Sequence, residues 1–129
     1  MIPLKKALIG KAIKNSMIIL DEDYKFEMAN SDGKGLPLIS HDGFGADLIK
    51  FDEGKAVEKH VHPGAHILFV FKGTGTLGYY DQEHNLEPGL IYLIPSNVPH
   101  SIHATSELVL LAVGNDHRPV WSDERMELV

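Results

Sequence analysis

KHVHPGAHILFVFKGTG, residues 59–75, places His60, His62 and His66 around a Pro-Gly pair and runs them into an apolar segment. Successive side chains of an extended chain point to opposite faces. His60 and His62 therefore share one face of the first segment. Beyond the turn, His66, Leu68 and Val70 share a face, and Ile67, Phe69 and Phe71 take the other. Pro63 presets φ, and Gly64 offers the positive φ of a type II turn, so the stretch reads as a hairpin with His62 opposite His66. His60 lies one pleat further along. An HxH pair alone is a weak signal, because lone histidines are more often satisfied polar residues. Three imidazoles set by strand pairing, however, form a donor set for iron, nickel, copper, zinc or manganese.

Working outward, turn-forming clusters recur at short intervals: 30–35, 41–45, 52–54, 63–64, 72–75, 87–89 and 95–97. Between them lie β-rich runs at 47–51, 56–62, 66–71, 76–80, 90–94, 100–104 and 107–113. Short strands at this spacing predict an all-β sandwich or barrel, and no sustained helical period competes with them. Leu108, Leu110 and Ala112 alternate with Val109, Leu111 and Val113, so this segment and residues 66–71 are apolar on both faces. A barrel buries one face, and the second needs a cover, which a homodimer would supply.

One domain is expected from 129 residues. A net charge of -6 argues against nucleic acid as a partner. The absence of cysteine removes disulfides and thiolate metal sites. The apolar runs near the N-terminus (ALIG, MIIL) are too short for a membrane span or a signal-peptide core, so a cytoplasmic protein with no membrane partner is expected.

A longer pattern contains the opening stretch. Gly54 is followed by five residues, His60-x-His62, three residues, His66, six residues and Gly73. Further on come Gly89, five residues, Pro95-x-Asn97, two residues and His100. This resembles the two motifs of the cupin superfamily, G-x5-H-x-H-x3,4-E-x6-G and G-x5-P-x-G-x2-H-x3-N. The resemblance implies a double-stranded β-helix, or jelly-roll barrel, with residues 47–114 as its core. Residues 1–46 would be an N-terminal arm and strands completing the barrel or dimer, and residues 115–129 a C-terminal arm. It also implies one divalent transition metal held by His60, His62, His66 and His100.

The departures from the pattern carry chemistry. His66 stands where the family has glutamate, so four neutral imidazoles would leave the full charge of a divalent ion uncompensated. Such a centre favours enolate, diolate or carboxylate ligands and is a stronger Lewis acid. Asn97 replaces a glycine and tolerates the left-handed conformation. Ala104 replaces the closing asparagine, and Leu90 stands where an aspartate is common. The resemblance suggests an enzyme acting on a small oxygen-rich organic molecule, as a quercetinase-like dioxygenase or as a cyclase or isomerase. The alternative is a non-catalytic small-ligand-binding cupin with a structural metal.

Other residues read more plainly. Glu58 shares the parity of His60 and His62 and is the nearest acid-base candidate, although a barrel-rim position is the commoner fate of such a residue. No strong general base is otherwise visible. His103 falls on the face opposite His100; His84 is expected in a polar hairpin loop, His41 in a glycine turn and His117 in the tail. GTGTLG at 73–78 satisfies G-x-G-x-x-G, but a strand follows it instead of the helix that a dinucleotide site requires. Asp21-Glu22-Asp23 lacks calcium-loop spacing. Trp121 would cap the barrel or meet a partner, and Tyr79, Tyr80 and Tyr92 line the cavity or cover the outer sheet.

Overall fold

The structure is a computed structural model and describes residues 26–27, 31–116, 122 and 126–129. Expectations for His117, Trp121, the acidic run at 21–23 and most of the N-terminal arm lie outside these residues. The described chain is all β. Its strands are β1 (Phe26–Glu27), β2 (Lys34–His41), β3 (Phe44–Phe51), β4 (Ala56–Val61), β5 (His66–Lys72), β6 (Gly75–Tyr79), β7 (Gln82–Leu86), β8 (Ile91–Ile94), β9 (His100–Ala104), β10 (Leu108–Gly114) and β11 (Glu127–Leu128). They form two antiparallel sheets, in the orders β1-β2-β3-β10-β5-β8 and β11-β4-β9-β6-β7. Among the described residues no helix is long and apolar enough to cross a membrane.

Turn chemistry punctuates the strands as expected. Asp42 and Gly43 both take positive φ, 47° and 82°, which suits the tight hairpin joining β2 to β3. β1, β2, β7 and β11 fall outside the seven runs read from the sequence, and the two longer of them show why. β2 passes through Pro37, and β7 exposes Gln82, Glu83, His84 and Asn85, leaving only Leu86 buried. An edge strand in water needs no apolar alternation, so β7 looks like a loop in one dimension. His84 therefore sits on a strand rather than in the loop assigned to it, although it is exposed.

The core lies between the sheets. Phe51, Val57, Val70, Leu86, Ile94, Leu108 and Leu110 are essentially sealed from solvent. Burying each side chain of this size contributes about 1.5–3 kcal/mol. The alternation expected for β5 holds: Leu68 and Val70 are buried beside His66, while Ile67 and Phe71 point out. Ile67, Phe71, Ile91, Leu93 and Val113 are exposed on the outer side of β10-β5-β8, the second apolar face anticipated above.

Candidate metal centre

The four histidines of the two motifs are all buried, at 3–9% exposure. His60 closes the inward row of β4, and His100 opens β9 directly beside it as its Cα partner. Their rings lie 4.1 Å apart, centre to centre. His62 follows β4 in the turn, and His66 opens β5. That turn is clamped from outside. The Asn97 amide donates to the His62 carbonyl (2.9 Å), and the Ala65 amide donates to Asn115 Oδ1 (2.8 Å).

Asn97 takes φ 58°, the left-handed conformation expected of the residue standing in for a motif glycine. Gly64 is explained differently from its expectation, because it does not adopt the positive φ of a type II turn. A Cβ there would overlap the carbonyl oxygen of Asn115. The turn needs glycine for close approach of a second chain segment, which turn grammar cannot show.

Three of the imidazoles are oriented by the same local device. His60 Nδ1 lies 2.8 Å from the Glu58 carbonyl, His62 Nδ1 2.7 Å from the Gly64 carbonyl, and His100 Nδ1 2.8 Å from the Val98 carbonyl. A carbonyl only accepts, so each Nδ1 carries the proton and the neutral ring directs its Nε2 lone pair elsewhere. His62 Nε2 and His100 Nε2 face one another at 3.2 Å. Two lone pairs cannot hydrogen-bond to each other; a cation between them is what this geometry accommodates. Protonation is opposed, because burial and then the neighbouring His60 and His62 push His100 down to about 3, against only a partial counter-effect from the Val98 carbonyl. One ligand nitrogen from each of His60, His62 and His100 falls within 4.8 Å of the others, a grouping that a single metal ion can bridge. The residues present fit such an ion by donor type, tautomer and convergence.

His66 joins the group by another route. Its Nδ1, not its Nε2, approaches His62 Nε2, at 3.1 Å. The far side of its ring lies against Gly114, where a Cβ would overlap the ring carbon Cδ2. The three-histidine set is thus complete without it, and His66 stands beside that set as a potential fourth donor.

Glu58 does not face the site. β4 carries an irregularity between Val57 and His60, where three steps along β4 match two along β9. Such a bulge breaks the period of two. Val57 and His60 both turn inward, and Glu58 and Lys59 are exposed. Glu58 contributes its backbone carbonyl to His60, not its carboxylate to the cavity. His103 is exposed on the opposite side of β9 from His100, as its spacing requires.

Asp47 is a group that sequence reasoning passed over. Among the described residues it is the only buried carboxylate, at 1% exposure. It shares the parity of Ile49 and Phe51 and partners Ala112, which partners Leu68, so it belongs to the inward row of the sheet. The tyrosines are also resolved. Tyr79 is the Cα partner of His100 and Tyr92 that of Leu68, so both face inward, whereas Tyr80 is exposed.

Comparison with known proteins follows the same lines. A family model described as a cupin domain matches residues 47–114, more than half of the chain. No curated protein matches the sequence. Among solved structures, an RmlC-like cupin from Shewanella frigidimarina superposes with a TM-score of 0.68 at 19% identity, covering 76% of this chain and 88% of its own. The polyketide cyclase RemF from Streptomyces resistomycificus gives 0.66 at 21% identity, covering 80% and 75%. A cupin superfamily protein from Desulfitobacterium hafniense gives 0.61 at 19%, covering 70% and 83%. At these identities the superpositions speak for the fold alone, a jelly roll of two antiparallel sheets. The family model decides the assignment: this chain belongs to the cupin-domain family.

Proposed function

We propose that this cupin is an enzyme that acts on a small oxygen-rich organic molecule through one divalent transition metal. His60, His62 and His100 hold the ion, and His66 serves as a fourth ligand. The observation that carries the reading is the shared device: three Nδ1 atoms tied to backbone carbonyls, with one ligand nitrogen of each ring within 4.8 Å of the others. Bound there, the metal would supply Lewis acidity toward an oxygen of the substrate, undiminished by any carboxylate ligand.

The chain's own contribution is orientation and dryness. The carbonyls of Glu58, Gly64 and Val98 keep the three rings aligned before any ion arrives, so binding costs little rotamer freedom. Ile49, Phe51, Leu68, Ile102 and Met126 wall the cavity and keep water from competing for the ion. A low-dielectric wall strengthens each electrostatic interaction within it.

A second reading has an observation of its own. The cavity at the histidines measures about 30 Å³, enough for an ion or a water but not for an organic molecule. On that ground the metal is structural and the protein a non-catalytic binding module. Elemental analysis of protein purified without added metal is the first test, with one transition-metal ion per chain expected. Turnover of diols, enols or hydroxylated aromatics by the loaded protein is the second. Protein that holds no transition metal even after reconstitution overturns the proposal; a held metal with no response to any such compound favours the structural reading.

A further inference from the structure

Among the described residues a second cavity lies beside the one at the histidines. The second measures about 390 Å³, within the range of small-molecule sites. Strand register makes them neighbours. Leu77, Tyr79, Tyr92 and Ile94 line the larger cavity, and their Cα partners Ile102, His100, Leu68 and His66 line the smaller. Paired residues of adjacent strands project to the same face about one strand spacing apart. The larger cavity thus adjoins the histidine row through Leu77, Tyr79, Tyr92 and Ile94 and opens to solvent between β7 and β8, an edge strand of each sheet, where His84, Asn85 and Leu93 are exposed.

Its walls specify a chemistry. Among the described residues no lysine, arginine, aspartate or glutamate lines it; the polar groups are Tyr79, His84, Asn85 and Tyr92 among leucines and isoleucine. An anionic ligand would leave water there without a lysine or arginine to meet it. Tyr92 adds an unmet need: its hydroxyl is buried with no hydrogen-bond partner. Burial alone raises its pKa above the ordinary phenol value, so the group stays protonated and is a donor. A buried donor without an acceptor costs free energy in the unliganded fold, and a ligand oxygen would recover it.

We propose that this cavity is the organic-ligand subsite of the metal centre, and that it takes an uncharged, largely apolar molecule with an oxygen acceptor, for which a phenol serves as probe, fixed by the Tyr92 hydroxyl. The proposal deepens the metal reading and rests on it for the subsite's purpose, but binding itself can be measured without the metal. It also departs from the carboxylate ligands that a highly charged centre favours by itself, because the walls and not the ion select what is admitted.

The test uses the full chain and the probes 2-naphthol and 2-naphthoate, of similar shape but opposite in charge class at neutral pH. Fluorescence titration of metal-free protein is expected to show naphthol binding and naphthoate at least about tenfold weaker. Tyr92→Phe is expected to weaken naphthol by about threefold or more while leaving the unliganded melting temperature unchanged or raised, since it deletes an unpaired hydroxyl. His84→Trp, at the exposed edge, should block naphthol with metal content unchanged. Equal binding of the two probes, no naphthol binding, or naphthol affinity indifferent to Tyr92→Phe overturns the proposal. So does a lower melting temperature for unliganded Tyr92→Phe, which would show that the hydroxyl already has a partner. Metal retained without naphthol binding would sink this proposal and leave the metal reading standing; naphthol bound by a protein that takes up no transition metal even on reconstitution would sink the metal reading, and with it the subsite's purpose, and leave only the binding cavity.

Discussion

His60, His62 and His100 come from β4, the residue beyond its end and β9, on the side of the five-stranded sheet, whereas His66 comes from β5 in the six-stranded sheet. The two groups are held differently. Each of the three is pinned through Nδ1 to a carbonyl two residues away, so its tautomer is set within its own segment. His66 is held by steric contact with Gly114 and meets His62 across the cavity through its Nδ1. A locally pinned ligand survives changes elsewhere in the barrel, while a ligand placed by the meeting of two sheets depends on how closely they close. The difference ranks the histidines before any metal is added.

The comparison breaks most directly at His62, which touches both His100 and His66. His62→Ala is expected to weaken metal binding by more than about 100-fold, read by elemental analysis and competition with a chelator. Retention of a stoichiometric ion by that variant would dissolve the distinction. Gly114→Ala attacks the other group. The new Cβ would overlap the His66 ring and the Ala65 carbonyl, so the metal-free fold should lose about 1–3 kcal/mol in urea unfolding. The three pinned histidines should still hold metal, with reduced affinity. Loss of all metal would show that His66 is no auxiliary.

Acid should separate the folded and unfolded chains through the pinned group. His100 titrates at about 3 when folded and near 6.5 when free, because burial and its histidine neighbours disfavour the imidazolium. Between those values the unfolded chain binds a proton that the folded chain refuses, so stability rises with pH. The metal-free protein should therefore be most stable above about pH 6.5 and melt at progressively lower temperature as pH falls toward about 3. A melting temperature flat from about pH 7 to about pH 4 would contradict that burial argument. Protons also compete for the ligand nitrogens, so metal affinity should fall as pH drops through the same range toward about 3. The smallest effect is expected at His103, on the outer side of the strand that carries His100. His103→Ala should leave metal content unchanged and stability within about 0.5 kcal/mol; a change in metal content would mean that the face assignment of β9 is wrong.

Much of the barrel was legible because its signals are local. Gly and Asp mark the turns, and the alternation of His66, Leu68 and Val70 against Ile67 and Phe71 declares which side of β5 is buried. β2 and β7 were missed for the converse reason. Proline in one and unbroken polarity in the other hide strands that exist because their neighbours offer hydrogen-bonding edges. Glu58 was misplaced because parity counting presumes an unbroken period, and the bulge before His60 breaks it. Asp47 was overlooked because a carboxylate inside a strand gives no sign of its burial until a second sheet closes over it.

By itself, then, the sequence determined the β class, the turns, and which histidines share a face, since each follows from the geometry of neighbouring residues along one chain. Only the tertiary structure decided which nitrogen His66 presents to the others, that Gly64 is required by the approach of Asn115, and that Tyr79 and Tyr92 line a cavity beside the histidines. Those outcomes depend on how segments dozens of residues apart come to lie against one another, and the alternation of side chains within a strand carries no record of that distance.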